Sequence, residues 1–325
     1  NFMIELEHIT KTYKVAQRNA GLGNAFKSYF KREYKEVKAL NDISFKINEG
    51  EMVGYIGPNG AGKSTTIKIM CGILTPESGE CRINGLIPYK QRQDYVKDIG
   101  VVFGNRSALW WDVPVEDSFE LLREIYNIPD EKYIQQRDML TEMLNIKEIM
   151  KRPTRQLSLG QRMRCEIAAA FLHDPKIVFL DEPTIGLDST SKIAVREFIK
   201  KINKEKNTTI ILTTHDTGDL EALTKRIILI GKGQLLLDGS LNSLMKRYSK
   251  KELNIKYKGR ITELPLEMRL LEKNQNEAKI EVDEHQMKLT DAIVLLSKIV
   301  EVQDLDVSNT PIDDVVANLY REYQI

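Results

Sequence analysis

Several features are scarce or missing in this chain of 325 residues, and each excludes a class of protein. Cys71, Cys81 and Cys165 are its only cysteines, an odd number without disulfide or metal spacing, which favours reduced thiols in a cytosol. No apolar run approaches the roughly 18 residues that cross a bilayer, and the N-terminus has no signal-peptide pattern. The net charge of +1 gives no general affinity for nucleic acid. We therefore expect an intracellular globular protein.

The most informative segment is rich in glycine and precedes a helical pattern. GPNGAGKSTTIKIM, residues 57–70, follows the apolar run EMVGYIG and contains GxxxxGK[ST]. Glycines let successive backbone N–H groups face an anion, and a helix N-terminus adds partial positive charge. The lysine of such a loop reaches the β- and γ-phosphates of a nucleotide, and the serine hydroxyl ligates Mg²⁺. A glycine turn that only begins a helix is the alternative. The pattern predicts phosphate binding by Gly57, Asn59, Gly60, Gly62, Lys63, Ser64 and Thr65.

Strand-like and helical segments alternate through about residue 240. KIVFLDEP and TTIILTTHD suit buried parallel strands, SKIAVREFIKKINKEK suits a helix between them, and residues 115–150 are helical in pattern. Residues 3–13 alternate like an edge strand. This order predicts an α/β fold with a parallel sheet covered on both faces. Beyond residue 240, ELNIKYKG, AKIEVDE and VQDLDVS read as strands, and with two amphipathic helices they predict a small α+β domain over 241–325.

Residues 14–38 are a predicted insertion between the first two strands. They carry seven Lys or Arg residues against Glu33 and Glu36. From residue 23 onward, five apolar residues fall near helical spacing: Phe26, Tyr29, Phe30, Tyr34 and Val37. A solvated amphipathic helix and a helix on anionic lipid headgroups both remain open.

Two acids, Asp181 and Glu182, end the apolar run IVFLDE. In a phosphate site one carboxylate holds Mg²⁺, while the other orients or deprotonates the attacking water. Acids after a strand also commonly cap the next helix, so this pair carries weight only together with the glycine-rich loop. The combination favours nucleotide hydrolysis.

The segment RQLSLGQRMRCEIAAAFLHDPKIVFLDEPTIGLD resembles the signature region of ATP-binding-cassette (ABC) ATPases. LSLGQ is followed at the usual interval by the acidic strand end and by the GLD loop. LSLGQ by itself could be a capped helix, although a serine and a glycine at a helix N-terminus also form an anion site. The resemblance implies that these residues complete the ATP site of an opposite subunit: Ser158, Gly160, Gln161 and Asp188.

Three further positions match the family's pattern. His215 ends the LTTHD segment and resembles the switch histidine that contacts the γ-phosphate, and Tyr13 stands where an aromatic ring stacks on adenine. Either residue alone would more often be structural. Asn105 takes the place of a glutamine that ligates Mg²⁺, with Gly104 as the competing alignment and a shorter arm in asparagine. The resemblance therefore implies Mg²⁺ ligands Ser64, Asp181 and Asn105, and catalytic residues Glu182 and His215.

Trp110 and Trp111 follow Asn105 in a segment that reads as a loop. They either pack in the core of the helical subdomain, predicted over about 105–160, or grip the coupling helix of a membrane partner. The residues alone leave both interpretations open.

The resemblance implies a P-loop NTPase of the ABC cassette type. Over 1–240 we expect a RecA-like parallel sheet core with antiparallel β and α-helical subdomains, and over 241–325 an α+β accessory domain. The implied function is that of a nucleotide-binding subunit, which hydrolyses ATP with Mg²⁺ in a head-to-tail dimer with itself or a homologous subunit. It would act at the cytoplasmic face of the cell membrane with a separate transmembrane permease.

VFGNRSALWWD, PIDDVVANLY and the C-terminal domain are similar to the bacterial drug- and polymer-exporter class, which favours export. A soluble ABC-type ATPase acting on ribosomes or DNA is the first alternative. Such proteins usually carry two cassettes or a long coiled coil and a stronger basic balance, so no nucleic-acid partner is expected. The second alternative is a binding module without catalysis, and the residues that argue against it are Lys63, Asp181, Glu182 and His215.

Overall fold

A computed structural model describes residues 2–16, 34–104, 107–248 and 250–325. In these ranges the strands are β1 (Phe2–Ala16), β2 (Tyr34–Asn48), β3 (Met52–Ile56), β4 (Ser78–Ile83), β5 (Ile99–Val102), β6 (Ile177–Asp181), β7 (Thr209–Thr213), β8 (Arg226–Gly231), β9 (Gln234–Ser240), β10 (Lys251–Lys258), β11 (Met268–Lys273), β12 (Glu277–Val282) and β13 (Glu301–Asn309). The helices are α1 (Lys63–Met70), α2 (Arg92–Tyr95), α3 (Val115–Tyr126), α4 (Asp130–Met143), α5 (Leu159–Phe171), α6 (Ser189–Lys206), α7 (Thr217–Leu223), α8 (Leu241–Tyr248), α9 (Leu289–Ile299) and α10 (Ile312–Glu322).

The largest sheet has six strands in the order β5-β6-β7-β3-β8-β9. Its first five strands are parallel, and β9 returns antiparallel beside β8. Strands β3, β6 and β7 are apolar and almost wholly buried, as parallel strands are when both faces of their sheet are covered. The carboxyl ends of β6, β7 and β3 lie side by side at one edge, where open α/β sheets bind ligands.

Two apolar clusters cover the two faces of this sheet. On one face α3, α4, α5 and α6 pack through Phe119, Leu140, Ile167 and Phe198. The other face is covered by α1, which contributes Ile69, and by a three-stranded antiparallel sheet, which contributes Ile4 and Phe45. Nine of the 13 residues of α5 are buried, so this helix is a core element.

The three-stranded sheet has the order β2-β1-β4. Strand β1 lies in its centre, because it pairs with both β2 and β4, so the expectation of an edge strand over residues 3–13 was wrong. Ile4 and Leu6 are buried, while Glu5 is half-buried and Glu7 is exposed. Such alternation shows that one face is solvated, but it does not show whether a strand has one neighbour or two.

The described ends of the predicted insertion form a β-ribbon. β1 and β2 stay paired as far as Ala16 opposite Tyr34, and Val37 lies opposite Tyr13. The helical spacing assigned to Tyr34 and Val37 was therefore wrong, because cross-strand pairing satisfies the backbone groups here. Residues 17–33, which include Phe26, Tyr29 and Phe30, lie outside the described residues.

The chain divides into two compact units, one through Ser240 together with Ile325, and one from Leu241 to Gln324. The second unit has a four-stranded antiparallel sheet in the order β11-β12-β10-β13. Its core includes Leu253, Ile280 and, from α9, Leu296. The sequence predicted three of these strands and missed β11, because Met268 is its only buried residue and the segment lacks alternation. Throughout the described ranges, every helix is too short or too polar to cross a membrane.

Candidate nucleotide site

The glycine-rich loop joins the carboxyl end of β3 to the first turn of α1. Gly62 caps α1 with a φ of 111°, a conformation that residues with a side chain rarely adopt. A Cβ atom on Gly57 would lie 2.2 Å from the carbonyl oxygen of Ile230. Both positions therefore require glycine, and the loop places its backbone N–H groups at a helix N-terminus, where anions bind.

This loop borders a cavity of about 420 Å³ at the carboxyl edge of the parallel sheet. Eight residues predicted from the sequence line it: Asn59, Gly60, Gly62, Lys63, Ser64, Thr65, Asp181 and Glu182. Ala39, Ala61, Gly104 and Ile185 complete the lining. The fold thus brings the predicted phosphate-binding loop and both acids to one place.

Lys63 is the charged residue of the loop and is only 9% exposed. Its Nζ donates to the carbonyl oxygens of Gly57, at 2.5 Å, and Pro58, at 3.1 Å. Burial lowers the pKa of Lys63, while the negative charges of Glu182 and Asp181 oppose that shift. An ammonium group held by neutral carbonyls can exchange them for phosphate oxygens, because hydrogen bonds between ions are stronger.

The two acids are held by the neighbouring strand. Oδ1 of Asp181 accepts a hydrogen bond of 2.5 Å from Oγ1 of Thr213, at the end of β7. The backbone N–H of Glu182 donates to the carbonyl oxygen of Thr213 at 3.0 Å. Glu182 has a φ of 53°, a left-handed conformation that costs of order 1 kcal/mol in a residue with a side chain. Such backbone strain is concentrated at functional sites.

His215 follows β7 and contacts the second acid. Its Nε2 lies 3.2 Å from Oε1 of Glu182. The ring is therefore placed to orient that carboxylate, which lines the cavity, whereas His215 itself lies outside the lining.

A buried acid that sequence reasoning missed connects the loops around this site. Asp219 is 0% exposed and accepts hydrogen bonds from the hydroxyls of Thr184 (2.5 Å) and Thr214 (3.0 Å). Nε of Arg196, on α6, donates to its other oxygen at 2.7 Å. Asp219 thereby joins the loop after β6, the loop after β7 and helix α6. No local pattern could have revealed these links, since Thr184 and Arg196 are 35 and 23 residues away in the chain.

The LSLGQ segment begins α5 with a capping box. Oγ of Ser158 accepts from the backbone N–H of Gln161 at 3.2 Å, and Oε1 of Gln161 accepts from the backbone N–H of Ser158 at 3.0 Å. A Cβ on Gly160 would lie 2.8 Å from Oγ of Ser191, so α5 begins in close contact with α6. Among the described residues, the lining of the cavity does not include these three signature residues.

Asp188 and Tyr13 also lie outside that lining. Asp188 caps α6 by accepting from the backbone N–H of Ser191 at 3.3 Å, and hydrogen bonds from Ser191 lower the pKa of its carboxyl. Tyr13 lies in the outer part of β1, is 37% exposed, and has the ammonium of Lys11 6.0 Å from its ring centroid. Its ring is accessible for stacking.

The predictions for Asn105 and for the two tryptophans that follow it have different outcomes. Asn105 lies outside the described residues, whereas Gly104 lines the cavity. Trp110 is 42% and Trp111 is 52% exposed, so the core-packing interpretation was wrong. The fold buries Leu109 instead and leaves both indoles accessible.

The donor set of the cavity suits a magnesium ion. Ser64 contributes a hydroxyl and Asp181 a carboxylate to the same lining. Mg²⁺ usually takes oxygen ligands from one or two carboxylates together with substrate phosphates. The residues present therefore fit this ion.

A P-loop beside paired acids, on a parallel sheet with an attached antiparallel sheet and helical subdomain, defines an ATP-hydrolysing cassette. Residues 40–185 match the family model described as ABC transporter. The chain is 32% identical over 225 residues to the ABC transporter ATP-binding protein NatA of Bacillus subtilis (strain 168), which covers 69% of this chain and 91% of NatA. It is 30% identical over 249 residues to the methionine import ATP-binding protein MetN 2 of Enterococcus faecalis, which covers 75% of this chain and 67% of that protein.

A solved structure supports the same assignment. The chain resembles a dimeric post-hydrolysis state of the ATP-binding cassette MJ0796 bound to ADP and Pi, with a TM-score of 0.61 and 28% identity. The match covers 74% of this chain and 99% of that one. This chain belongs to the ABC transporter ATP-binding family and is an ABC-type ATPase subunit, which confirms the predicted family, fold class and activity.

Proposed function

We propose that this chain is the nucleotide-binding subunit of an ABC exporter. It hydrolyses ATP at the interface of a head-to-tail dimer and drives a separate transmembrane permease from the cytoplasmic face of the membrane. The observation that carries this proposal is the one cavity shared by Lys63, Asp181 and Glu182. The position of the signature residues outside its lining agrees with their completing the site of a partner subunit.

The catalytic residues have separate tasks in this proposal. Lys63 and the loop N–H groups hold the β- and γ-phosphates. Glu182 orients the attacking water and accepts its proton. His215, 3.2 Å from Glu182, contacts the γ-phosphate and reports its presence, and Tyr13 stacks on adenine. The backbone bond from Glu182 to Thr213 and the contact of its carboxylate with His215 position that carboxylate before ATP arrives, so little reorganisation is required during the reaction.

Ser64 and Asp181 would hold Mg²⁺, with Asn105 as the third protein ligand. When bound, the ion neutralises the charge that develops on the transferred phosphoryl group. Thr213 positions Asp181 for this role through its hydrogen bond to Oδ1.

Exposed apolar side chains of the helical subdomain are the proposed docking site for the permease. They include Trp110 and Trp111, and on α3 Leu121 and Ile125, which are 42% and 57% exposed. The backbone N–H of Trp110 donates to Oγ of Ser118 at 3.1 Å, which holds the indoles next to α3. Large aromatic side chains commonly anchor protein interfaces.

Export is the proposed direction because the VFGNRSALWWD and PIDDVVANLY segments resemble the exporter class. Import is the alternative, and a methionine import protein is among the relatives. A role on ribosomes or DNA has no support from these relatives or from a net charge of +1. Transport of labelled substrate by inverted and right-side-out vesicles would distinguish the two directions.

The deciding experiment is purification of the tagged chain from native membranes, with mass spectrometry of its partners and an ATPase assay of the eluate. We expect a stoichiometric protein with several membrane spans and an ATPase activity that Glu182→Gln abolishes. Ribosomal or DNA-repair proteins in its place, without a membrane subunit, would contradict the transporter assignment.

A further inference from the structure

A buried carboxylate on α5 has no part in the mechanism above. Glu166 is 7% exposed and lies in the core helix that begins at the signature segment. Its Oε1 accepts a hydrogen bond from the hydroxyl of Ser107, and its Oε2 accepts from the backbone N–H of Ala108 at 2.8 Å. Burial raises the pKa of Glu166, and these two hydrogen bonds oppose the shift. The free-energy cost of burying the Glu166 carboxylate is therefore offset by hydrogen bonds from one loop.

That loop, residues 107–111, is here named the Trp loop. Further contacts of the Trp loop are also with the helical subdomain. Trp110 is bonded to Ser118 on α3, and the backbone N–H of Arg155 donates to the carbonyl oxygen of Trp111 at 3.0 Å. The guanidinium of Arg162, one turn before Glu166 on α5, lies 5.7 Å from the ring centroid of Trp111. Helix α5 therefore holds both ends of the Trp loop.

The chain reaches this loop directly from the nucleotide cavity. Gly104 lines the cavity, and Ser107 is bonded to Glu166 on α5. Only three positions along the chain therefore separate a residue of the cavity lining from a residue bonded to α5.

We propose that Glu166 is a positioning residue that clamps the Trp loop to α5, so that the two exposed tryptophans and Ser158 move as one body. Eight residues of helix, about 12 Å, separate Glu166 from Ser158. The inference rests on the proposed function, because it takes Ser158 as a contact of ATP bound by the opposite subunit. Displacement at the permease-facing indoles is then transmitted to that ATP by a rigid helix.

Intrinsic fluorescence can test this clamp, because Trp110 and Trp111 are the only two tryptophans in the sequence. The test uses the Glu182→Gln protein, which we expect to bind ATP without turnover, and ATP binding is measured separately by equilibrium dialysis. We expect ATP to change the emission of this protein. Adding Glu166→Ala should remove at least about half of that change while ATP remains bound, since buried contacts of this kind act as a unit.

Two further variants make the test specific. Glu166→Gln keeps an acceptor for Ala108 and a donor for Ser107, so the emission change should be retained. Glu252→Ala removes another buried glutamate, 3% exposed and located in the second unit, and should also retain the change.

Ser107→Ala alters an exposed residue and stays informative if Glu166→Ala does not fold. In the wild-type background it should lower kcat several-fold and leave the KM for ATP within about twofold, because the loss arises after nucleotide binding.

A full emission change in Glu166→Ala with ATP bound would overturn the clamp while leaving the proposed function intact, and so would an unchanged kcat in Ser107→Ala if Glu166→Ala does not fold. Failure of the Glu182→Gln protein to bind ATP would overturn the proposed function and the clamp together. Loss of the change in Glu252→Ala as well would show a general effect of removing buried charge, and would also overturn the clamp.

Discussion

Glu182 combines a left-handed backbone, a place at the carboxyl end of a buried parallel strand, and a histidine 3.2 Å from its carboxylate. We expect Glu182→Gln to lower kcat by about 10²–10⁴, the usual contribution of general acid–base catalysis. Glutamine keeps the size and the hydrogen-bonding ability of the side chain, so ATP affinity should change little. Phosphate release and titration calorimetry measure the two quantities. Equal losses of binding and turnover would assign Glu182 to nucleotide binding instead.

His173 makes stability depend on pH. Its ring stacks on Tyr126 with centroids 3.9 Å apart, and Nε2 donates to the carbonyl oxygen of Ile99 at 2.8 Å. Burial lowers the pKa of His173 from 6.5 to about 4. The unfolded chain therefore takes up a proton before the folded protein does, so this contribution to stability is full above pH 6.5 and is lost as the pH falls toward 4.

At pH 5 we expect His173 to have lowered the free energy of unfolding by about 2 kcal/mol relative to pH 7, at 1.36 kcal/mol per pKa unit. Urea unfolding followed by tryptophan emission measures this quantity for the first unit, which contains both indoles. His173→Gln can keep the bond to Ile99 and cannot titrate, so its stability should fall less between the two pH values. Identical losses in both proteins would assign the pH dependence to other groups.

The meeting of Asp181, Glu182 and the glycine-rich loop at one cavity could be predicted from the sequence, because phosphate chemistry fixes the residue types and spacing of such a site. The contacts of Asp219 and Glu166 could not, because they are made with residues far away in the chain, at Thr184 and Arg196 for one and at Ser107 and Ala108 for the other.

At the scale of helices and strands, local sequence patterns were sufficient to predict the elements that have strong patterns. The capped helix that LSLGQ indicated is α5, and continuous apolar runs predicted β6 and β7. The signals failed where pairing alone decides the structure. Residues 34–37 became a strand because the outer end of β1 offered partners, and β11 is a largely exposed edge strand without alternation.

We predict that Asp219 stabilises the relative positions of the loop after β6, the loop after β7 and helix α6. Arg196 on α6 is 2.7 Å from it, and breaking a buried ion pair by removing one partner typically costs about 3–5 kcal/mol. Asp219→Ala should therefore lower the free energy of unfolding by this order and reduce kcat through misplacement of His215. Asp219→Asn keeps the acceptor for the threonines and should lose less of both. A stable and fully active Asp219→Ala protein would contradict this role.

At the scale of the whole molecule, the separation of the nucleotide cavity from the signature segment has a consequence for assembly. The chain has one phosphate-binding loop and one LSLGQ segment, and the cavity beside the loop is not lined by Ser158, Gly160 or Gln161 among the described residues. In a symmetric dimer a residue of one subunit that contacts a residue of its partner is matched by the reciprocal contact. Each ATP would then require Lys63 from one subunit and Ser158 from the other.

Mixing two inactive variants tests this arrangement. Lys63→Ala should abolish phosphate binding, and Ser158→Arg should block the signature contact, so each variant alone should be inactive. A mixed dimer carries one site with both defects and one intact site.

With random exchange of subunits at equal concentrations, activity should return to about a quarter of the wild-type value, since half of the dimers are mixed and each mixed dimer has one intact site of two. Recovery measured by phosphate release would support a reciprocal homodimer. No recovery, with exchange verified by differently tagged subunits, would contradict the homodimer and favour pairing with a homologous ATPase subunit.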